Sequence, residues 1–235
     1  MPDPSADERP LPGRQREARS NDAAVLAAAR EVLSAQGHDA SMAEIARHAG
    51  VGVASIYRRY PTKEALVEAL RVTGVSAAAA LAHEVAGSMP DGAGAAPDGH
   101  ADDGADTGAA PAGAVASFLA RQITGAPGPI LQPPGRGAPI SSELGAASEE
   151  LHAGLRRLVA RDRADGLVPE GFTAADVMQL LLHLRPALPY PRAHADALHL
   201  RYLDLAMRGL AEQARDGVVL DDGPHWDEWM GSWHD

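Results

Sequence analysis

Residues 41–60 read SMAEIARHAGVGVASIYRRY, and this stretch decides the fold of the first part of the chain. Ser41 and Glu44 have the spacing of a capping box, so a helix is predicted to begin at Ser41. Gly50 supplies the backbone conformation that ends this helix in a sharp turn. A second short helix then follows, from about Val53 to Tyr60. Two short helices joined by a tight glycine turn are typical of the helix-turn-helix motif.

The side chains after the turn favour contact with DNA over an ordinary helical hairpin, which has the same spacing. The second helix begins with small side chains, as close approach to base edges requires. Tyr57 is followed by two arginines, and Lys63, the only lysine, stands near the start of the next helix. These donors lie where a phosphate backbone would pass, so the motif is predicted to sit in the major groove.

Helices are also predicted on both sides of this motif. Before it, apolar residues recur along one helical face from Asn21 to Gln36, with Ser20 or Asn21 as the cap. After it, a long helix is predicted from Thr62 or Lys63 to about Ala86. We therefore expect a disordered arm over residues 1–19, followed by a small helical unit over residues 20–70 that contains the helix-turn-helix.

The composition narrows the possible functions. The chain of 235 residues has no cysteine, which excludes disulfides, thiolate metal sites and cysteine nucleophiles. A net charge of −11 argues against nonspecific coating of nucleic acid or anionic membrane. The first twenty residues lack an apolar signal region, and no run approaches eighteen consecutive apolar residues. A soluble, cytoplasmic protein with no membrane partner is predicted.

Residues 87–114 differ from the rest of the chain in composition. They are rich in Gly, Ala, Pro and Asp and contain almost no large apolar side chain. Such a segment cannot bury enough apolar surface to offset the entropy lost on ordering. We expect a disordered insert there.

The remainder has helical patterns at about 115–124, 142–165, 173–186 and 194–215, and no convincing paired strand. The fold class predicted is therefore all-α, with a second helical domain over residues 71–215 that contains the insert. Residues 216–235 form an acidic tail that holds all three tryptophans. For the tail a mobile segment is favoured, and the alternative is an apolar ridge of Trp226, Trp229 and Met230 docked on the body or on a partner.

In its first part the sequence resembles the TetR family of bacterial transcriptional regulators. The elements that carry the resemblance over about residues 20–70 are Ser41, Ile45-Ala46, Ala49-Gly50-Val51, Tyr57 to Tyr60, and Lys63-Glu64-Ala65-Leu66, in the family's order and spacing. The segment from Arg161 to Gly166 is similar to actinobacterial members. The resemblance implies an N-terminal three-helix helix-turn-helix domain joined by a fourth helix to a helical domain for ligand binding and dimerisation.

The resemblance also implies which side chains contact DNA. Ser41, Tyr57 and Lys63 would contact phosphates, while the recognition helix would begin at Val53 and offer its apolar side chains to thymine methyls and a serine hydroxyl to a base. The family often has arginine two residues after the Ser/Thr, where this chain has Ala43. Base readout is therefore assigned to Arg58 or to the arm residues Arg14, Arg16 and Arg19. The equal alternative for these arginines is that each is an ordinary solvated surface side chain. The DNA-contact residues expected are Ser41, Val53, Ala54, Ser55, Tyr57, Arg58 and Lys63.

The later helices predict a homodimer. The segment 177–184 is apolar nearly all round, and the following helix has Leu198, Tyr202, Leu205 and Gly209 on one side and further leucines on the other. A helix that is apolar on two sides needs two partners, either a wider core or a second subunit. A two-fold dimer would bind a palindromic operator with half-sites about 34–36 Å apart, or a multiple of that distance.

A small-molecule effector, apolar in character, is the remaining partner. We expect it among the helices bearing Phe118, Leu155, Met178 and Leu182, although methionine and leucine at helical spacing usually indicate packing. Binding there would tilt the long helix that begins at Lys63 and would release the DNA.

No enzymatic site is predicted, and neither are catalytic residues, a metal or a cofactor. The ten histidines form no metal-ligand spacing, and His183 is expected in the core. Serines lack the setting of a nucleophile elbow, and no phosphate-binding loop is present. The function predicted is a repressor released from its operator by a small molecule. The alternative is a helical ligand-binding or enzymatic protein that retains the N-terminal fold without specific DNA binding.

Overall fold

A computed structural model describes residues 13–88, 113–125, 141–221 and 223–231, and within these ranges the protein is helical. No strand is formed in the described ranges, where Glu170 and Val219 make one isolated parallel bridge. The prediction of an all-α fold is confirmed. The helices are α1 (Gly13–Gln36), α2 (Met42–Ala49), α3 (Val53–Arg59), α4 (Lys63–Ser88), α5 (Ala114–Gly125), α6 (Ser142–Ala164), α7 (Ala174–Leu184), α8 (Arg192–Arg215) and α9 (Trp226–Gly231).

The chain forms two compact units that divide between Leu70 and Arg71. Helix α4 continues without a break through that point, so its first two turns belong to the N-terminal unit and its remainder to the C-terminal unit. Each unit has its own set of buried apolar side chains.

The N-terminal unit is built from α1, α2, α3 and the start of α4. The hydroxyl of Ser41 accepts a hydrogen bond from the backbone N–H of Glu44 at 3.2 Å, and the Glu44 carboxylate accepts one from the Ser41 N–H at 3.0 Å. Gly50 ends α2 at φ 68°, a left-handed conformation that favours glycine. Helix α3 then starts at Val53. The predicted helix-turn-helix is therefore formed by the local signals that indicated it.

The first helix begins earlier than predicted. It starts at Gly13 instead of Asn21, so Ser20 and Asn21 lie inside it and do not cap it. The expectation of a disordered arm is wrong for residues 13–19, and residues 1–12 lie outside the described ranges. The cause is propensity, because Arg, Gln, Glu and Ala between Gly13 and Ser20 favour helix and allow α1 to extend towards the N-terminus.

In the C-terminal unit, α4 to α8 surround an apolar core that includes Phe118, Leu155 and Leu203, each fully buried. Helices α4 and α6 approach closely at Gly154, where an added Cβ would lie 2.8 Å from the Cβ of Ala82. Glycine is required there because any side chain would force the two helices apart.

A carboxylate on α6 fixes the start of α5. Asp162 is fully buried and accepts hydrogen bonds from the backbone N–H groups of Ala114 at 2.7 Å and Val115 at 2.9 Å. These are among the helix N-terminal donors that lack a partner within the helix. Burial raises the pKa of Asp162, since the charged form loses hydration, and the two backbone donors oppose that shift.

The expected insert at 87–114 falls mostly outside the described residues. Gly87 and Ser88 are the last residues of α4, and Ala114 is the first of α5. The structure therefore places the ends of this range in helices, and the expectation for residues 89–112 stays a prediction.

The tail is ordered where the structure describes it, so the mobile tail that the sequence favoured is wrong for residues 216–221 and 223–231. Trp226 is 8% exposed and Trp229 is 1% exposed, and both belong to the core of the C-terminal unit. Met230 packs against that core and accepts a hydrogen bond at Sδ from the Ser148 hydroxyl. The docked apolar ridge is therefore the correct alternative. Trp233 lies outside the described residues.

Helix α4 is long and apolar enough to cross a membrane by length and composition, and one third of its most apolar window is buried. Much of that apolar character comes from alanine, whose exposure in a water-soluble helix costs little. Leu66, Leu70 and Ala82 of α4 are each at most 1% exposed, as in a core helix.

Candidate nucleic-acid interface

The outward face of α3 is centred on Ala54 and Arg58. These two exposed residues are one helical turn apart and lie opposite Ile56, which is 1% exposed and packs into the N-terminal unit. On one flank of this face, Val53 and Tyr57 remain 39% and 48% exposed. The face therefore combines a flat, small centre with an aromatic ring and a guanidinium group.

The two adjacent arginines of α3 have different environments. The Nη2 atom of Arg59 lies 2.5 Å from a carboxylate oxygen of Asp22 on α1, so Arg59 neutralises a carboxylate within the unit. Arg58 is exposed and forms no ion pair with any described residue. Of the pair, Arg58 is therefore the side chain available to an external anion.

Ser55 lies on the other flank and is half-buried. It lines a groove of about 270 Å³ that Asp22, Arg58 and Tyr60 also line. A carboxylate near a DNA backbone would repel phosphates, and the ion pair with Arg59 offsets the charge of Asp22. The Ser55 hydroxyl is thus at the edge of the α3 face and beside the junction with α1.

Ser41 is exposed, but its hydroxyl already has a structural role. It accepts from the Glu44 N–H and donates to the Glu44 carboxylate at 2.8 Å. Hydrogen bonds from the backbone and hydroxyl of Ser41 hold the pKa of Glu44 below its usual range. A phosphate contact by Ser41 would require its hydroxyl to turn away from Glu44.

Lys63 is the first residue of α4 and is half-buried. The preceding Thr62 accepts a hydrogen bond at Oγ1 from the Ala65 N–H at 3.1 Å, which defines the start of the helix. The backbone and Thr62 hydrogen bonds lower the pKa of the adjacent Glu64. Lys63 therefore stands at a rigid helix terminus, together with the partial positive charge of its backbone donors.

Arg47 is a further candidate that the sequence reasoning did not select. It is exposed on α2, one turn after the exposed Ala43, on the same face of the helix. The spacing could have indicated Arg47, since a side chain four positions after Ala43 lies on the same helical face and can place its guanidinium group over the same surface. The arm residues Arg14, Arg16 and Arg19 belong to α1, and their side chains lie outside the described part of the structure.

Three of the four residues expected around an effector belong to the C-terminal core, and Leu182 does not. Phe118 and Leu155 have no exposed area, Met178 is 5% exposed, and Leu182 is half-buried. They lie on α5, α6 and α7, and their role around an effector stays a prediction. His183 was expected in the core and is exposed, whereas His199 on α8 is buried. Burial lowers the pKa of His199.

The apolar face of α8 remains open in the single chain. Tyr202 is 57% exposed and Leu205 is 54% exposed, while Leu203 and Met207 on the opposite side are buried in the core. Gly209 continues the open face with no atom near the position of a Cβ. Among the described residues, no group of three or more histidine, aspartate or glutamate side chains is arranged to hold a metal ion.

The comparisons with known proteins concern the same segment and the overall fold. Residues 25–70 match the family model described as bacterial regulatory proteins, tetR family. That range covers the described helix-turn-helix together with parts of the helices on each side of it. No curated protein matches the chain.

Solved structures resemble the chain over most of its length. One is the TetR transcription regulatory protein from Mycobacterium vanbaalenii, 22% identical, which aligns over 84% of this chain and 98% of that chain with a TM-score of 0.51. Another is a TetR transcriptional regulator from Streptomyces coelicolor, 24% identical over 80% of this chain and 97% of that one, with a TM-score of 0.49. The first of these likenesses shows a shared fold.

Proposed function

We propose that this member of the tetR family of bacterial regulatory proteins binds double-stranded DNA through α3 and regulates transcription from a palindromic operator. The observation that carries the proposal is the exposed α3 face, where Ala54 and Arg58 project outward beside Tyr57 in the segment that matches the family model. Small side chains permit close approach to bases, and the guanidinium group is suited to guanine or phosphate.

The contacts divide into readout and positioning. Val53, Ala54, Ser55 and Arg58 are proposed to meet base edges, since all four belong to the first two turns of α3. Ser41, Tyr57 and Lys63 are proposed to contact phosphates. A phosphate contact fixes register without reading sequence, because every base pair presents the same backbone.

The test is a titration of the purified protein with its own upstream DNA against random duplex over a range of salt concentrations. Specific binding should weaken steeply with salt, because each phosphate contact releases counterions. Lys63→Ala should reduce the slope of log K against log salt by about one unit. Equal affinity for both duplexes would contradict the proposal and favour a helical protein that uses this fold without specific DNA binding.

We further propose that the protein is a cytoplasmic homodimer joined through α8. The support is the exposed stripe of Tyr202 and Leu205 on α8, because the opposite side of the same helix is already buried in the core. A contact of this stripe with its own copy would be two-fold symmetric. The two α3 helices would then present themselves to successive major grooves of a palindrome.

We also propose that an apolar small molecule releases the protein from DNA, which makes it a repressor. The long helix α4 supports the idea, because it starts at Lys63 and its distal half packs against α6 at Ala82 and Gly154. A ligand entering the core at Phe118, Leu155, Met178 and Leu182 would have to separate packed helices, and α4 would shift with them. Ligands that raise the melting temperature should lower operator affinity, and ligands that bind tightly without that effect would contradict the release mechanism.

A further inference from the structure

A groove of about 700 Å³ runs along α6 in the C-terminal unit and is lined almost entirely by basic, apolar and small residues. Its basic residues are Arg156, Arg157 and Arg163, with His152 and His225. None of the described residues that line it carries a carboxylate. In a chain with a net charge of −11, this is a local reversal of charge.

Arg156 and Arg163 lie along one stripe of α6, and Arg157 lies about 100° further round the helix. Arg156 and Arg163 are seven residues apart, which places them on nearly the same face at a separation of about 10 Å. The Nη2 group of Arg163 donates to the carbonyl of Phe172 at 2.8 Å, and its Nε lies 3.6 Å from Glu170, so it is held in place and partly neutralised. The Nη1 atom of Arg157 lies 3.3 Å from Nδ1 of His83. Arg156 forms no ion pair with a described residue and keeps its charge for an external group.

The opposite wall is apolar and comes from the tail. Trp226 lines the groove and stacks on His152, with ring centroids 4.5 Å apart and planes at 4°. Phe172 and the first residues of α7, Ala174 and Ala175, complete that side. These two alanines begin α7, whose N-terminus is already capped by the Thr173 hydroxyl and the Asp176 carboxylate, so the head group of a ligand depends on the arginines.

One buried donor in this wall lacks an acceptor. Trp226 is only 8% exposed, and its indole Nε1 has no hydrogen-bond partner among the described residues. A buried polar group without a partner is costly and unusual. An anionic oxygen bound beside Trp226 would supply the missing acceptor after a small movement of the tail.

We propose that this groove binds an organic anion, with a carboxylate or phosphate held by Arg156 and Arg157 and an apolar body packed on Phe172 and Trp226. Guanidinium groups bind both head groups bidentately, and the apolar wall selects against inorganic ions. The site is separate from the core residues around Phe118 and requires no DNA, so it goes beyond the proposed function. A bound ligand would bridge α6, α7 and the tail.

The tryptophans provide a local readout. All three lie in the tail at positions 226, 229 and 233, so intrinsic tryptophan fluorescence reports on this part of the chain. The full-length protein is titrated with phenyl phosphate, 3-phenylpropionate, neutral 3-phenylpropanol and inorganic phosphate, with calorimetry as a second measurement. We expect saturable binding of the two aromatic anions in the millimolar range or tighter. The alcohol and inorganic phosphate should bind at least about tenfold more weakly, because each lacks one half of the recognition. The stronger of the two aromatic anions identifies the head group.

Variants of Arg156 and Arg157, with a control variant on α5, locate the binding. Arg156→Gln removes an exposed cation that has no described ion pair, and it should weaken binding of both anions by roughly tenfold, the usual cost of losing a charged hydrogen bond. Arg121→Gln is the matched control, since it removes the same charge from α5, outside the groove, and should leave affinity unchanged. The proposal is overturned if no aromatic anion binds, or if Arg156→Gln and Arg157→Gln bind as well as the wild type. Circular dichroism confirms that each variant is folded.

Discussion

Helices α3 and α8 both leave large apolar side chains in water, yet their surroundings differ. On α3, Val53 and Tyr57 are 39% and 48% exposed beside Arg58, which forms no ion pair with a described residue. On α8, Tyr202 and Leu205 are 57% and 54% exposed, and the nearby Asp204 and Arg208 form an ion pair with each other at 2.9 Å. The neighbouring charges, rather than the exposed apolar area, therefore distinguish a surface suited to a polyanion from one suited to another protein.

The tail provides a third case, in which the chain covers its own apolar surface. Trp226 and Trp229 cover α6 and α7, with the two rings 4.7 Å apart. In the same unit the apolar face of α8 stays exposed, which makes it a candidate surface for an external partner.

Leu205→Glu should abolish dimerisation. A carboxylate placed in an apolar two-fold interface appears twice, and burying it costs at least about 3 kcal/mol, more than a hundredfold in the dissociation constant. Sedimentation velocity should show a monomer where the wild type shows a dimer. Val219→Glu, at a residue 68% exposed and outside the helices, is the matched control and should stay dimeric. A dimeric Leu205→Glu would place the interface elsewhere.

Arg58→Ala should weaken operator binding by about 1–3 kcal/mol and relax sequence preference at one base position. The control is the double variant Asp22→Ala/Arg59→Ala, which removes a neighbouring ion pair without changing the net charge. Its operator affinity should change less than about threefold, as expected for an exposed pair. If the double variant loses more affinity than Arg58→Ala, the assignment of the readout to Arg58 is wrong.

The features that could be predicted from the sequence are those fixed by residues close together in the chain. The capping box of Ser41 and Glu44 and the turn at Gly50 each depend on at most four consecutive positions, and all formed as predicted. The helices of the second unit followed from periodicity, with bounds that differ from the prediction by a few residues. Helix α1 was the exception, because propensity alone extends it to Gly13 without a local start signal.

Contacts between distant parts of the chain were not predictable in this way. The donors at the start of α5 are satisfied by Asp162, 48 residues later than Ala114. Docking of the tail was one alternative from its spacing, but nothing within the tail indicates that Trp226 stacks on His152 of α6. The groove along α6 likewise depends on distant parts of the chain, since α6, α7 and the tail all contribute lining residues. The exposed His183 and the buried His199 also follow from which side of each helix meets the core.

Ser41→Ala should destabilise α2 by about 1 kcal/mol, because it removes the acceptor for the Glu44 N–H and one partner of the Glu44 carboxylate. Amide hydrogen exchange over residues 42–49 measures this locally and should become faster. Ser41→Thr retains the hydroxyl and should protect the same amides as the wild type does. Unchanged exchange in Ser41→Ala would contradict the capping role.

Acidification should weaken the packing of the tail on α6, and the expected change in stability is small. Burial lowers the pKa of His152, while Glu149 and Asp227 oppose that shift and Arg156 adds to it. A histidine whose pKa is lower in the folded state contributes stability that is fully present above its ordinary pKa of about 6.5, and that contribution is lost as the pH falls from there through the lowered pKa. Docking of Trp226 on His152 should therefore weaken as the pH falls below about 6.5. The tryptophan emission should shift to longer wavelength as the rings meet water.

His152→Phe is the matched variant, because a phenyl ring retains the stack and does not titrate. His225→Gln removes the other histidine that lines the groove and should leave the pH dependence in place. If His152→Phe shows the same pH-dependent shift as the wild type, the titrating group is elsewhere. If tryptophan emission is independent of pH in His152→Phe alone, the apolar contact that holds the tail depends on the neutral imidazole of His152. Within the described ranges, the open faces of α3 and α8 have no such internal partner, and acid should act on them through their external partners.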